Sequence, residues 1–270
     1  MQDIKQRREG FDQLGKLYPK VTSVEITFEQ ISGLDCYWFV PQNPKSERLI
    51  IYVHGGAFAV GSIRSHGNMV SHIAEVVKTK IIFVEYALAP EHPYPAGIND
   101  VLKVYAALLK TYPGYRFDFV GESAGAGIII SSVSTIIKQH ILLPQSVVLI
   151  SPWSNLDCNY PSHLQNAGKD IISTAYLLAS AQDYIGDSNA YDASPDHASL
   201  AEFPPVLILA GTAEILLDDS KHIYAKIKLI QKDTTLTLYD NQKHNWPLAD
   251  INSEASGKVL NEIAEFLGRV

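Results

Sequence analysis

Two periods of apolar residues alternate along this chain. Near the start, "SVEITFEQ" and "LDCYWFVP" carry strand-like alternation on either side of Ser32-Gly33, and they predict a β-hairpin. Short, nearly continuous apolar runs follow: "RLIIYVH", "KIIFVEY", "FDFVG", "SVVLIS", "PPVLILAG" and "TTLTLYD". Their length and β-branched content predict strands. Between them, residues 65–78, 96–111, 124–139 and the stretch "LLDDSKHIYAKIKLI" space their apolar positions as helices do, as do residues 252–268 at the end. Residues 1–19 predict a short, polar-faced helix. The pattern is therefore α/β: a twisted, mostly parallel sheet of eight strands, helices on both faces and the hairpin as an antiparallel edge.

The interval 154–200 breaks this rhythm. It is rich in Asn, Asp, Ser, Tyr and Pro, and predicts one helix at 173–184. That is long for a connection inside a compact unit, and it points to a lid or a substrate-binding insertion. No internal repeat is present.

Composition narrows the classes. The 270 residues are 46% hydrophobic and 19% charged, enough to bury a sizeable core. The formal charge is −7 with acids and bases interspersed, and no basic patch suggests nucleic acid as a partner. The start, "MQDIKQRREGFDQL", has no apolar core of a secretory signal. No run reaches the ~20 apolar residues of a membrane span; "GIIISSVSTII" reads as a buried helix. Cys36 and Cys158 lie in no metal or redox motif and read as reduced structural thiols. Together these features lead us to expect a cytoplasmic protein.

One stretch carries chemistry. In "FVGESAGAGI", Gly121-Glu122-Ser123-Ala124-Gly125 fits G-x-S-x-G between a strand and a helix. A strand turning directly into a helix forces its junction residue into strained geometry, and small neighbours relieve the crowding. The serine hydroxyl then stands exposed in front of a helix N-terminus. A second element, His54-Gly55-Gly56-Ala57-Phe58, follows another strand. Its glycine amides, with the N–H of Ala124, can form an oxyanion hole for the charge that acyl transfer builds on a carbonyl oxygen.

A serine nucleophile needs a base, and the base an orienting acid. Of nine histidines, His244 in "LYDNQKHNW" directly follows a strand, where α/β sheets present their working residues. His54 reads as a structural turn residue. His66, His72 and His222 read as solvated or helix-surface residues, and His92, His140, His163 and His197 match no strand end. For the acid, "VLILAGTAE" brings Glu214 to a strand end, with Asp218 and Asp219 one turn later.

These residues resemble the hormone-sensitive-lipase-like esterases of the α/β-hydrolase fold. The resemblance rests on "HGGAF", "EYALAPEHPYPA", "GESAGAG", "SPW", "ASP" at 193–195, "PPVLILAGTAEILLDDS" and "KHNW", in that order over residues 50–247. It implies Ser123 as nucleophile, His244 as base, and Gly55, Gly56 and Ala124 as oxyanion donors. The family's acid stands in an Asp-Pro-Leu triplet. The matching triplet here is Glu214-Ile215-Leu216, which implies Glu214 as the acid, with Asp218 as runner-up. Ala57 stands where a third glycine is usual. His54 is expected to support the oxyanion loop and Glu122 to be buried beside the elbow. Residues 1–270 are then one α/β-hydrolase domain, with a small helical cap formed by about 1–20 and 154–200.

The expected activity is hydrolysis of short acyl esters, acetyl to butyryl, with no metal or organic cofactor. Phe58, Trp153, Tyr160, Tyr184 and Trp246 are the expected lining of an apolar acyl pocket. Two other functions fit the same fold: an amidase or arylformamidase on the same triad, and a catalytically inactive small-molecule receptor. A purely structural module leaves unexplained why nucleophile, base, acid and oxyanion turn all fall at strand ends. The strand "TTLTLYD" near the end is a candidate edge for pairing two copies of the chain.

Overall fold

A computed structural model describes residues 4–45 and 47–270. Residues 1–3 of the helix expected over 1–19 lie outside the described residues. Within it, α1 (Ile4–Asp12) passes into a 3₁₀ turn (Gln13–Lys16). The hairpin follows as β1 (Glu25–Ile31) and β2 (Leu34–Val40). Then come β3 (Arg48–Val53), α2 (Ile63–Val77), β4 (Lys80–Val84), α3 (Ala96–Thr111), β5 (Arg116–Glu122), α4 (Ala124–Lys138) and β6 (Ser146–Ile150).

The interval after β6 holds more helix than its composition predicted. It contains α5 (Ser162–Gln165), α6 (Thr174–Ile185), α7 (Ala190–Ala193) and a 3₁₀ turn at Pro195–His197. Side-chain caps start two of these: Ser173 accepts from the N–H of Tyr176 and Asn189 from that of Tyr191. The chain ends with β7 (Val206–Gly211), α8 (Leu217–Lys228), β8 (Thr234–Tyr239), α9 (Trp246–Ala249) and α10 (Glu254–Arg269). The final helix begins at Ser253, whose hydroxyl accepts from the N–H of Ser256, so the chain divides there into two helices.

The eight strands form one sheet in the order β1-β2-β4-β3-β5-β6-β7-β8. The β1–β2 and β2–β4 pairs are antiparallel and all others parallel. Strands buried on both faces explain the unbroken apolar runs. In β3, Leu49, Ile51 and Val53 point into one core, with α3, α4 and α8 above it, while Ile50 and Tyr52 point into the other, under α2 and α10. β7 divides the same way, Val206 and Ile208 against Leu207 and Leu209. Among the described residues no helix is long and apolar enough to cross a membrane. Cys36 and Cys158 are buried and form no disulfide, and burial pushes both thiols up to about 12.

One charged pair sits inside this apolar frame. Arg48 at the start of β3 bonds both carboxylate oxygens of Asp118 on β5, at 2.6 and 2.9 Å, and also donates to the carbonyls of Leu267 and Val270. Ser146 on β6 donates to Asp118 at 2.7 Å. The cluster ties three strands to the chain's C-terminus. Removing one partner of a buried pair strands the other charge. Arg48→Ala is expected to cost roughly 3–5 kcal/mol in urea unfolding, and Arg48→Met with Asp118→Leu distinctly less; equal losses would mean that the stranded charge is not the cause.

Candidate active site

Ser123 is the single residue between β5 and α4, and its backbone stands at φ 55°, ψ −124°. Such geometry costs about 1–3 kcal/mol and persists only when the surroundings hold it. Here they do. The Ser123 N–H donates to the carbonyl of Ile150, and its own carbonyl accepts from the amides of Gly127 and Trp153. Gly125 lets α4 start flush against the end of β3. A Cβ there would lie 2.2 Å from the Val53 carbonyl oxygen and 2.4 Å from that of His54.

The structure brings His244 and Glu214 to this serine. His244 Nε2 lies 2.8 Å from Ser123 Oγ, and its Nδ1 lies 3.3 Å from Glu214 Oε2. Each side chain arrives at the carboxyl end of a parallel strand: β5 for Ser123, β7 for Glu214, β8 for His244. Asp218 is elsewhere. It starts α8, accepts from the N–H of Ser162 and pairs with Lys221. Asp219 is buried against His163 at 2.8 Å and accepts from the amides of Ser154 and Asn155.

Electrostatics follow from this packing. Burial pushes the Glu214 carboxyl above its ordinary range, while His244, the Gly211 amide and the Ser151 hydroxyl favour its charge. For His244 burial is the largest influence and disfavours the imidazolium. The hydrogen bond and charge of Glu214, with the charges of Asp170 and Glu122, outweigh it and raise the pKa. His54 is buried without a counter-charge, and burial, with His66 beside it, pushes it down to about 3, so it is neutral.

The loop after β3 differs from expectation at one amide. The Gly55 N–H is already committed to the Glu122 carboxylate. A Cβ at Gly55 would collide with the same carboxylate, so glycine there permits the close contact. The amides of Gly56, Ala57 and Ala124 donate to no protein acceptor among the described residues. Ala57 and Phe58 both sit at positive φ, 52° and 62°. Glu122 also accepts from Asn245 Nδ2 at 2.7 Å and faces His66 Nε2 at 3.1 Å. His66 is therefore fully buried, not on a helix surface, because α2 turns this face toward Glu122.

The apolar lining also differs. A cavity of about 100 Å³ opens beside Ser123 and His244. Phe11 and Leu14 from the N-terminal segment line it, with Ile171, Ile172, Tyr176 and Leu177 from the insertion and Leu248 after His244. None of the five expected aromatics does. Phe58 stacks on Tyr184 at 3.8 Å and packs against Trp153, all three inside the core. Tyr160 donates to Asp196, and Trp246 packs against Tyr239 on the opposite side of the sheet. Ring size drew Phe58, Trp153, Tyr184 and Trp246 into the interior, while Tyr160 stays half-buried.

Two positioning side chains were not singled out from the sequence. Ser151 donates to Glu214 at 2.8 Å and accepts from the Asn245 amide at 3.3 Å; its place at the end of β6, in "SPW", is the signal. Asp170 accepts from the amides of Ile215 and His244, each at 2.8 Å, and no local pattern marks it.

A serine hydroxyl, an imidazole and a buried carboxylate brought together at the ends of parallel strands β5, β8 and β7 have the arrangement of a serine hydrolase site. The chain belongs to the α/β hydrolase fold family, which matches residues 50–248. It is 31% identical to an esterase of Acinetobacter venetianus over 96% of this chain and 87% of that protein. It is 27% identical to an acetyl-hydrolase of Streptomyces hygroscopicus over 90% and 83%. A crystal structure of an esterase from the bacterial hormone-sensitive lipase family superposes with a TM-score of 0.95 at 27% identity, covering 100% of this chain and 92% of that one. The protein is a carboxylic ester hydrolase of this hormone-sensitive-lipase-like group.

The raised His244 pKa has a direct check. The imidazole should titrate above the ordinary value of 6.5 in the substrate-free protein, as followed by NMR. A midpoint below 6.5 would mean that burial prevails over the three carboxylates.

Proposed function

We propose that this enzyme hydrolyses esters of short acyl groups, acetyl to butyryl, through a covalent acyl-enzyme formed on Ser123. The observation that carries the reading is the 2.8 Å contact from Ser123 Oγ to His244 Nε2 at the mouth of a small apolar cavity. Ser123 Oγ attacks the ester carbonyl carbon as His244 Nε2 takes its proton. Glu214 holds the imidazole through Nδ1 and stabilises the imidazolium. The tetrahedral oxyanion is received by the amides of Gly56, Ala57 and Ala124, which have no protein acceptor among the described residues. His244 then protonates the leaving alcohol, and in the second half-reaction it activates water against the acyl-enzyme.

The size of the cavity supports the acyl class. At about 100 Å³ it is well below the roughly 300–1,000 Å³ of sites for drug-sized ligands. The N-terminal segment and the insertion serve as its cap, since Phe11 and Leu14 from one and Ile171, Ile172, Tyr176 and Leu177 from the other close it. In solution, two copies pair along β8, the last strand of the sheet, which is bonded only to β7 and leaves Leu238 42% exposed.

Hydrolysis of p-nitrophenyl esters from acetate to dodecanoate is expected to be fastest at acetate to butyrate. Ser123→Ala should lower kcat by at least about 10⁴-fold. Faster turnover of dodecanoate than of butyrate would sink the short-acyl assignment. Glu214→Gln is expected to lower kcat about 10³–10⁴-fold, while Asp218→Asn changes it little; the reverse order would make Asp218 the acid. Light scattering should give a dimeric mass, and a monomeric one removes the pairing along β8.

A further inference from the structure

Asp170 lies between α5 and α6, in the segment inserted after β6. Its Oδ1 accepts from the backbone N–H of His244 at 2.8 Å and of Ile171 at 2.7 Å. Its Oδ2 accepts from the N–H of Ile215 at 2.8 Å. One half-buried carboxylate thus spans two loops, the one that carries His244 and the one that carries Glu214. The amides it takes are that of His244 itself and that of the residue next to Glu214. The two residues after Asp170, Ile171 and Ile172, line the cavity beside Ser123.

We propose that Asp170 is a positioning residue for the hydrolytic relay, fixing His244 against Glu214 and favouring the imidazolium that forms when Ser123 gives up its proton. The inference rests on the roles given above to Ser123, His244 and Glu214. Backbone tethering sets the approach of the imidazole to the serine, and a misplacement of about 1 Å there is worth up to ~10²-fold in rate. The charge acts as well, because a nearby carboxylate in a partly buried setting is weakly screened. The groups that act electrostatically on His244 are Glu214 from the loop after β7, Glu122 from the end of β5, and Asp170 from the insertion. His66 on α2 stands behind Glu122, and Lys243 is the chain neighbour of His244.

An uncharged tether lies close by for comparison. Asn166 Nδ2 donates to the carbonyls of Glu214 at 2.8 Å and Thr212 at 3.2 Å, so it holds the acid loop from the same segment without a charge.

The test compares Asp170→Asn, Asp170→Glu and Asn166→Ala with the wild type by two readouts. One is the NMR titration of the His244 imidazole in the substrate-free protein. The other is the pH profile of kcat/KM on p-nitrophenyl butyrate. Asp170→Asn should move both midpoints to lower pH and lower kcat by about 10–100-fold, with KM changed less. Asp170→Glu keeps the charge at a longer reach; it should lower kcat while leaving the midpoints near those of the wild type. Asn166→Ala should leave both midpoints in place. Should Asp170→Asn fail to fold, Asp170→Ser, a smaller side chain with one acceptor, gives the same readouts. Unmoved midpoints in folded Asp170→Asn or Asp170→Ser, whatever their thermal stability, overturn the proposal and leave a structural tether. A wild type that hydrolyses no ester overturns the functional reading instead, and the NMR titration still decides the effect of Asp170 on His244.

Discussion

A strand that turns into a helix within one residue cannot keep ordinary backbone angles at the turn. Ser123 takes that constraint at φ 55°, and most of the site follows from it. The strained residue stays put because its N–H and carbonyl are bonded to β6, α4 and the segment just beyond β6. Those bonds require α4 to start against the end of β3, which only a glycine at 125 allows. The same turn projects the hydroxyl from the sheet's carboxyl edge. His244 and Glu214 meet it there because β7 and β8 continue the parallel order.

A second constraint operates one residue earlier. Glu122 is a fully buried acid, an arrangement that costs several kcal/mol unless partners satisfy it. Its partners are the Gly55 amide, Asn245 and His66. They belong to three different segments: the loop after β3, the loop that carries His244, and α2 behind both. Burial of one charge thereby organises segments distant in sequence. It also explains why Gly55 is turned away from a donor's role while Gly56 and Ala57 line the cavity.

How legible this was in the sequence differs from element to element. The inner strands could be read because burial on both faces leaves continuous apolar runs, and the hairpin of β1 and β2 because its residues alternate about Ser32-Gly33. Ser123 and His244 were legible because their surroundings are local: small residues about a bend, or a histidine directly after a strand. Local pattern alone did not separate Glu214 from Asp218, since both follow the same strand; the family resemblance put Glu214 first, and the folded loop turns Asp218 toward Ser162. The cavity lining was misread. Aromatic residues were expected there, yet Phe58, Trp153 and Tyr184 fill the core, and the lining comes from aliphatic residues in aperiodic segments. His66 was misjudged because helical spacing does not show that a buried acid waits on the inner face. Asp170 left no trace, because an aspartate in a polar loop looks the same whether it meets water or three backbone amides.

The cavity wall is built from two sources of unequal independence. Phe11 and Leu14 come from α1 and the 3₁₀ turn after it, held to the body by Arg8, which grips Glu91 and the carbonyls of Ala59 and Ala89. None of those contacts reaches His244 or Glu214. Ile171 and Ile172 directly follow the carboxylate that tethers the loops carrying His244 and Glu214. The two walls therefore differ in how freely they can evolve. Substitutions on the N-terminal side can reshape the cavity without touching a contact of His244 or Glu214. Changes across the cavity, at residues 171 and 172, act on a segment whose preceding residue holds the amides of His244 and Ile215.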